Sequence, residues 1–204
     1  MSIRDIMEAA PVIPVLVLDG SVDPIELAQV LVENGLPVIE VTLRTEEALP
    51  AIEEMSKVEG AIVGAGTVLN AVDLYEAVDY GARFIVSPGL TDGVVRAASD
   101  KRVPILPGVA NAGDIMRGLD LGLDHFKFFP AEAAGGLEAL KALAGPFGGV
   151  SFCPTGGIKE DTAEDWLAHP NVKCVGGSWI LPSGETDLDH VGALARRAAR
   201  LGKA

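Results

Sequence analysis

Residues 12–43 read VIPVLVLDGSVDPIELAQVLVENGLPVIEVTL: a short apolar run, an amphipathic segment, and a second short apolar run. The runs at 12–18 and 37–43 are rich in Val and Ile and are apolar on both faces. That is the pattern of strands covered on both sides in a parallel sheet. Between them Ile25, Ala28, Leu31 and Val32 recur at helical spacing, with Glu26, Gln29 and Glu33 opposite. Gly35 then supplies the residue best suited to the left-handed turn that ends a helix. Strand, helix, parallel strand is one βαβ unit.

The unit repeats. Further strands are expected at 61–68 (AIVGAGTV), 84–88 (FIVSP), 103–109 (VPILPGV), 125–130 (HFKFFP), 149–155 (GVSFCPT) and 172–179 (VKCVGGSW). Thr45 and Thr91 stand where N-caps belong, and Gly60, Gly81, Gly122 and Gly145 stand where helices should end. Eight repeats at about two dozen residues each predict a single (β/α)8 TIM-barrel domain over residues 1–204. Residues 1–10 add an extra N-terminal helix, and 188–201 form the last one. A doubly wound open sheet shares the alternation, but no G-x-G-x-x-G follows the first strand.

Apolar residues make up 49% of the chain and aromatics only 5%, so the core must be aliphatic. A net charge of −13 with no basic run repels nucleic acid and excludes it as a partner. Any anion site must therefore be local, made of a few cations and backbone N–H groups. Cys153 and Cys174 read as buried thiols of a reducing compartment. The run at 12–18 is interrupted by Pro14 and is too short for a signal peptide or a membrane span, so the expected location is cytoplasmic. His125, His169 and His190 have no ligand spacing, and neither a metal nor a cofactor is expected.

In a barrel of this kind, the C-terminal ends of the strands carry the chemistry. This chain places Glu40, Thr42 and Arg44 at that end of the second strand, Thr67 on the third, Lys127 on the sixth, Thr155 on the seventh and Ser178 on the eighth. Lys127 is the one lysine of seven enclosed by aromatics. Alternation turns Phe126 and Phe128 toward the helices and Lys127 into the barrel. Burial disfavours an ammonium ion, so an enclosed amine holds more of the neutral form that attacks carbonyls. The same burial also suits a plain internal ion pair with Glu40, and both readings can hold together. Arg44 offers a fork for a carboxylate and Glu40 can carry a proton, although the two could equally neutralise each other. Gly156-Gly157 and Gly176-Gly177 follow the last two strands, where such barrels hold phosphate. Ordinary turns needing positive φ would explain the same pairs.

Taken in order, EVTLRT (40–45), GAGTVLN (64–70), SPGLT (87–91), FKFFPAE (126–132), FCPTGGI (152–158) and GGSW (176–179) resemble the 2-keto-3-deoxy-6-phosphogluconate (KDPG) aldolase family. Members of this family often also cleave 4-hydroxy-2-oxoglutarate. The resemblance runs from about residue 10 to 182, and FKFFPAE with CPTGG is its most specific part. It implies a class I aldolase that splits KDPG, a phosphorylated keto acid, into pyruvate and glyceraldehyde 3-phosphate. By this resemblance Lys127 forms the Schiff base and Glu40 shuttles protons. Arg44 and Thr67 hold the pyruvyl carboxylate, Thr155, Gly156, Gly157 and Ser178 hold phosphate, and Pro88 and Phe129 line the pocket. It also implies a homotrimer. PGVANAGDI (107–115) departs at Asn111, where relatives often have Thr or Ser. Two other readings of the same residues stay open: a phosphosugar isomerase or epimerase with Glu40 as base, and a non-catalytic barrel that senses sugar phosphates.

Overall fold

The computed structural model describes residues 1–202. Its eight strands are β1 (Val12–Leu16), β2 (Val38–Thr42), β3 (Ile62–Gly66), β4 (Ile85–Ser87), β5 (Ile105–Val109), β6 (His125–Phe128), β7 (Ser151–Pro154) and β8 (Val175–Gly177). All seven adjacent pairs in the order β7-β6-β5-β4-β3-β2-β1-β8 are parallel. Parallel bridges Phe152↔Val172 and Thr155↔Gly176 join β7 to the chain at β8, which closes the ring. A closed ring is the expected (β/α)8 barrel and excludes the open doubly wound sheet.

The helices are α1 (Ile3–Glu8), α2 (Pro24–Glu33), α3 (Ala48–Met55), α4 (Ala71–Asp79), α5 (Asp92–Lys101), α6 (Ala112–Asp120), α7 (Gly136–Ala144), α8 (Ala163–Leu167) and α9 (Leu188–Ala198). The extra N-terminal helix is therefore present, opened by a capping box between Ser2 and Asp5. Thr91 caps α5 as expected, its hydroxyl accepting from Val94 N at 3.3 Å. Thr45 does not cap α3: its hydroxyl donates to Leu18 O at 2.5 Å and ties the loop after β2 to the loop after β1. Gly35, Gly81 and Gly122 end their helices with positive φ, whereas Gly145 keeps a right-handed conformation. On α2 the buried stripe is Leu27, Ala28 and Leu31, with Ile25 and Val32 only half-buried. The helix is rotated from its sequence reading because it packs against neighbouring helices as well as the barrel wall.

Two apolar layers result. Phe126, Phe128 and Trp166 belong to the large core between strands and helices. A separate cluster of Ile13, Val38, Phe84, Val86, Leu106, Cys153 and Cys174 includes Ile6 and Met7 of α1. It fills the lower lumen, with α1 as its plug. Side chains two residues further along the same strand faces, Glu40, Pro88 and Thr155, lie one layer above it. The lumen is thus dry at the bottom and polar at the top.

Candidate active site

A cavity of about 280 Å³ opens at the C-terminal end of the barrel, lined by Val15, Glu40, Thr42, Arg44, Thr67, Pro88, Lys127, Phe129 and Thr155. Its residues come from β1, β2, β6 and the ends of β3, β4 and β7, brought together by strand parity and by register around the ring. At its floor Lys127 Nζ donates to Glu40 Oε1 at 3.0 Å. Their side chains are 7% and 4% exposed, so the pair is held out of water. The Phe129 ring lies 5.4 Å from the same nitrogen and forms part of the wall. The expected ion pair is therefore real, and its amine faces an open cavity.

Thr42 is buried, and its hydroxyl donates to Leu16 O at 2.8 Å, which stitches β2 to β1 beside the carboxylate. Arg44 lies past the end of β2 in a turn, with its own N–H donating to Thr42 O at 2.8 Å. It is not in the extended stretch the sequence suggested, yet it still lines the cavity. It is exposed, and among the described residues no carboxylate pairs with it, so Glu40 does not neutralise it. Thr67 follows β3 with φ +59°. A β-branched residue in the left-handed region is strained, and such strain clusters where geometry is used.

The two glycine pairs differ. Gly156 and Gly157 have φ of +105° and +83°, so the chain after β7 turns through conformations that side chains resist. Gly176 and Gly177 do not have positive φ. A Cβ on Gly176 would overlap Thr155 Oγ1, and one on Gly177 would come within 2.8 Å of the Trp179 ring and Val12. Close packing, not turn geometry, requires glycine there. Ser178 is not on β8: it begins a 3-10 turn, is exposed, and lines an adjoining cavity of about 320 Å³ with Val15, Gly20, Ser21 and Glu185. Val15 borders both cavities, so Ser178 lines a cavity next to the one that holds Lys127.

Asn111, the departure in the loop after β5, is the N-cap of α6 and accepts from Asp114 N at 3.0 Å. Asn, Ser and Thr all serve in that role, so the position is a structural cap and lies outside the cavity lining. Cys153 and Cys174 are free and buried, as expected. The Cys174 thiol is pushed well above its ordinary range, first by its hydrogen bond with Cys153 and then by burial. Among the described residues no three His, Cys, Asp or Glu side chains gather as a metal-holding group. One lining position, Val15, and one position packed against Glu40, Gly66, escaped the sequence reading. Val15 shows only through its alternation with Ile13, and Gly66 shows only as a glycine inside a strand, which marks a close approach.

Comparison with known proteins decides the lineage. Residues 3–194 match the family model for KDPG and KHG aldolase. The chain belongs to the KDPG and KHG aldolase family. It is 52% identical to a 2-dehydro-3-deoxy-phosphogluconate aldolase of Zymomonas mobilis over 99% of this chain and 97% of that protein. It is 47% identical to the KHG/KDPG aldolase of Escherichia coli, over 97% and 94% of the two chains. Among solved structures, the KDPG aldolase of Legionella pneumophila, with pyruvate captured at low pH as a covalent carbinolamine intermediate, superposes with a TM-score of 0.94. That enzyme is 41% identical and covers 98% of both chains. Within the family the sequence motifs and the barrel coincide: five of the six quoted stretches supply residues to the cavity that holds Lys127, and GGSW supplies Ser178 to the adjoining one.

Proposed function

We propose that this chain is a class I aldolase that cleaves KDPG to pyruvate and glyceraldehyde 3-phosphate, and 4-hydroxy-2-oxoglutarate to pyruvate and glyoxylate. The observation that carries the reading is a buried amine, Lys127, facing a cavity while bonded to a buried carboxylate, Glu40. The named activity of its relatives supports it. So does the carbinolamine captured in the Legionella enzyme.

The neutral Lys127 amine adds to the C2 ketone of the substrate, and the carbinolamine loses water to give an iminium. Glu40 takes the proton of the C4 hydroxyl, directly or through water, and the C3–C4 bond breaks. Its electron pair moves into the iminium, leaving an enamine on Lys127 and a free aldehyde. The proton returns to C3, and hydrolysis frees pyruvate and the amine. Arg44 and Thr67 hold the carboxylate at one end of the cleft. Thr155, Gly156, Gly157 and Ser178 receive the phosphate at the other, and Pro88 and Phe129 wall the middle. A local site of backbone and hydroxyl donors fits a protein whose total charge is −13.

The functional unit is a one-domain barrel assembled as a homotrimer in the cytoplasm, with neither metal, cofactor nor nucleic acid as partner. Leu69, Val72, Met116 and Leu119 are exposed on and beside α4 and α6 and supply apolar surface that a subunit contact would cover. No helix among the described residues is long and apolar enough to cross a membrane. Sedimentation equilibrium checks the trimer.

Borohydride reduction in the presence of pyruvate tests the chemistry. An aldolase gains one pyruvate-derived adduct on the peptide that holds Lys127, and Lys127→Ala gains none. An isomerase or a sensor stays unlabelled, and an unlabelled wild type ends the proposal.

A further inference from the structure

The end of β3 bears on the proton carrier through a residue with no side chain. Gly66 pairs with Thr42 of β2, and its carbonyl accepts from Leu43 N at 2.8 Å. A Cβ built on Gly66 would overlap Glu40 Oε1 and lie 2.7 Å from Cγ and 2.8 Å from Cδ. All three nearest atoms belong to Glu40. Gly66 does not have positive φ, so its backbone is one that any residue adopts. Glycine is required here by the carboxylate and not by the chain. On its other side the same Oε1 accepts from Lys127.

We propose that Gly66 is a positioning residue: the volume left by its missing side chain is the seat that holds the Glu40 carboxylate against Lys127. This rests on the reading of Glu40 as proton carrier. Glu40 must serve two atoms of one adduct, the C4 oxygen and then C3, without losing its place beside the amine. A bare Cα is the closest wall a carboxylate can rest on. Gly64, two residues earlier on the same face, makes a useful contrast, because the three atoms nearest a Cβ there all belong to the Phe84 ring of the lower core. One glycine of the pair serves the core and the other serves the site.

The test is Gly66→Ala, read by two assays that part Lys127 from Glu40. Borohydride trapping of pyruvate reports the amine and should be little changed. Exchange of the pyruvate C3 protons in D₂O reports the carboxylate and should fall about 100-fold, the usual cost of an ångström-scale misplacement. Adding Glu40→Ala removes Cγ, Cδ and the carboxylate oxygens, and with them the three atoms that a Gly66 methyl would meet first. In that background Gly66→Ala should cost nothing further, so the double variant should match Glu40→Ala alone in urea unfolding, the non-additivity expected of two groups that compete for one volume. Exchange near the wild-type rate in Gly66→Ala overturns the proposal, as does a double variant that loses as much stability beyond Glu40→Ala as Gly66→Ala loses beyond wild type. If Gly66→Ala fails to fold, the double variant should fold, since Glu40 supplies the three nearest atoms; a double variant that also fails sinks the idea. Glu40→Gln alone separates the two levels. Full exchange in that variant removes the proton-carrier role itself. Lost exchange there, with Gly66→Ala unimpaired, removes only the seat.

Discussion

Lys127 Nζ and Glu40 Oε1 meet at 3.0 Å across the barrel although 87 residues separate them in the chain. Both groups are almost fully buried, so each is the other's main compensation for lost water. The chemistry needs the pair to open: once the amine becomes an iminium, the carboxylate is free to take a proton.

That dependence predicts a stability effect. Lys127→Met strands a buried carboxylate and should destabilise the protein by about 3–5 kcal/mol, whereas Lys127→Met with Glu40→Leu should return to within about 2 kcal/mol of wild type. Urea unfolding measures both. A single variant as stable as wild type would mean that the pair is not held dry.

Thr67 carries strain that a smaller residue would release. A glycine at the same positive φ removes about 1–2 kcal/mol of side-chain strain, offset by about 1 kcal/mol for the extra freedom of an unfolded glycine. Thr67→Gly should therefore be stabilised by up to about 1 kcal/mol. It should also raise KM about tenfold or more, since a hydrogen bond to a charged group contributes about 1.5–3 kcal/mol. A melting curve and a pyruvate-release assay check the two halves, and a gain in stability with unchanged KM would remove Thr67 from carboxylate binding.

Arg44 makes the opposite combination. It is exposed and has no carboxylate partner among the described residues, so Arg44→Met should leave stability within about 0.5 kcal/mol. The loss of a charged fork should raise KM by about tenfold or more, with kcat affected less. Saturation kinetics decide it; an unaltered KM would place the substrate carboxylate elsewhere.

Arg197 Nε and Nη2 donate to the Glu160 carboxylate at 2.6 and 3.0 Å, clasping the segment after β7 to α9. This hydrogen bonding holds Glu160 below its ordinary value of 4.5. A carboxyl whose folded value is depressed adds stability above its unfolded value and loses it as pH falls through the folded one. The gap in Tm between wild type and Glu160→Gln should be full at neutral pH and close as pH drops below 4.5. A gap that is constant from neutral to acid pH would show that the clasp adds nothing.

Most of the barrel was legible because its signals are local. Eight β-branched runs, the helical stripe of α2 and the glycines after α2, α4 and α6 each depend on a few neighbouring residues. Element ends were less legible. Arg44 and Ser178 read as strand residues, but they lie in turns, because a strand stops where its neighbour stops pairing and that depends on residues far away in the chain. The helical face of α2 was misplaced for the same reason: its partners include other helices as well as the strands beneath it.

The chain by itself determined which residue types stand at the strand ends, since alternation along a strand is a property of backbone geometry and holds wherever the strand is placed. It thereby determined that Lys127 points inward and that Phe126 and Phe128 point out. Only the closed ring decided which of those inward groups touch. That Glu40 reaches Lys127, that Thr155 leans on Gly176, and that Gly66 yields its space to a carboxylate all depend on register and shear around the barrel. These are set by packing the whole lumen, and no short stretch of residues encodes them.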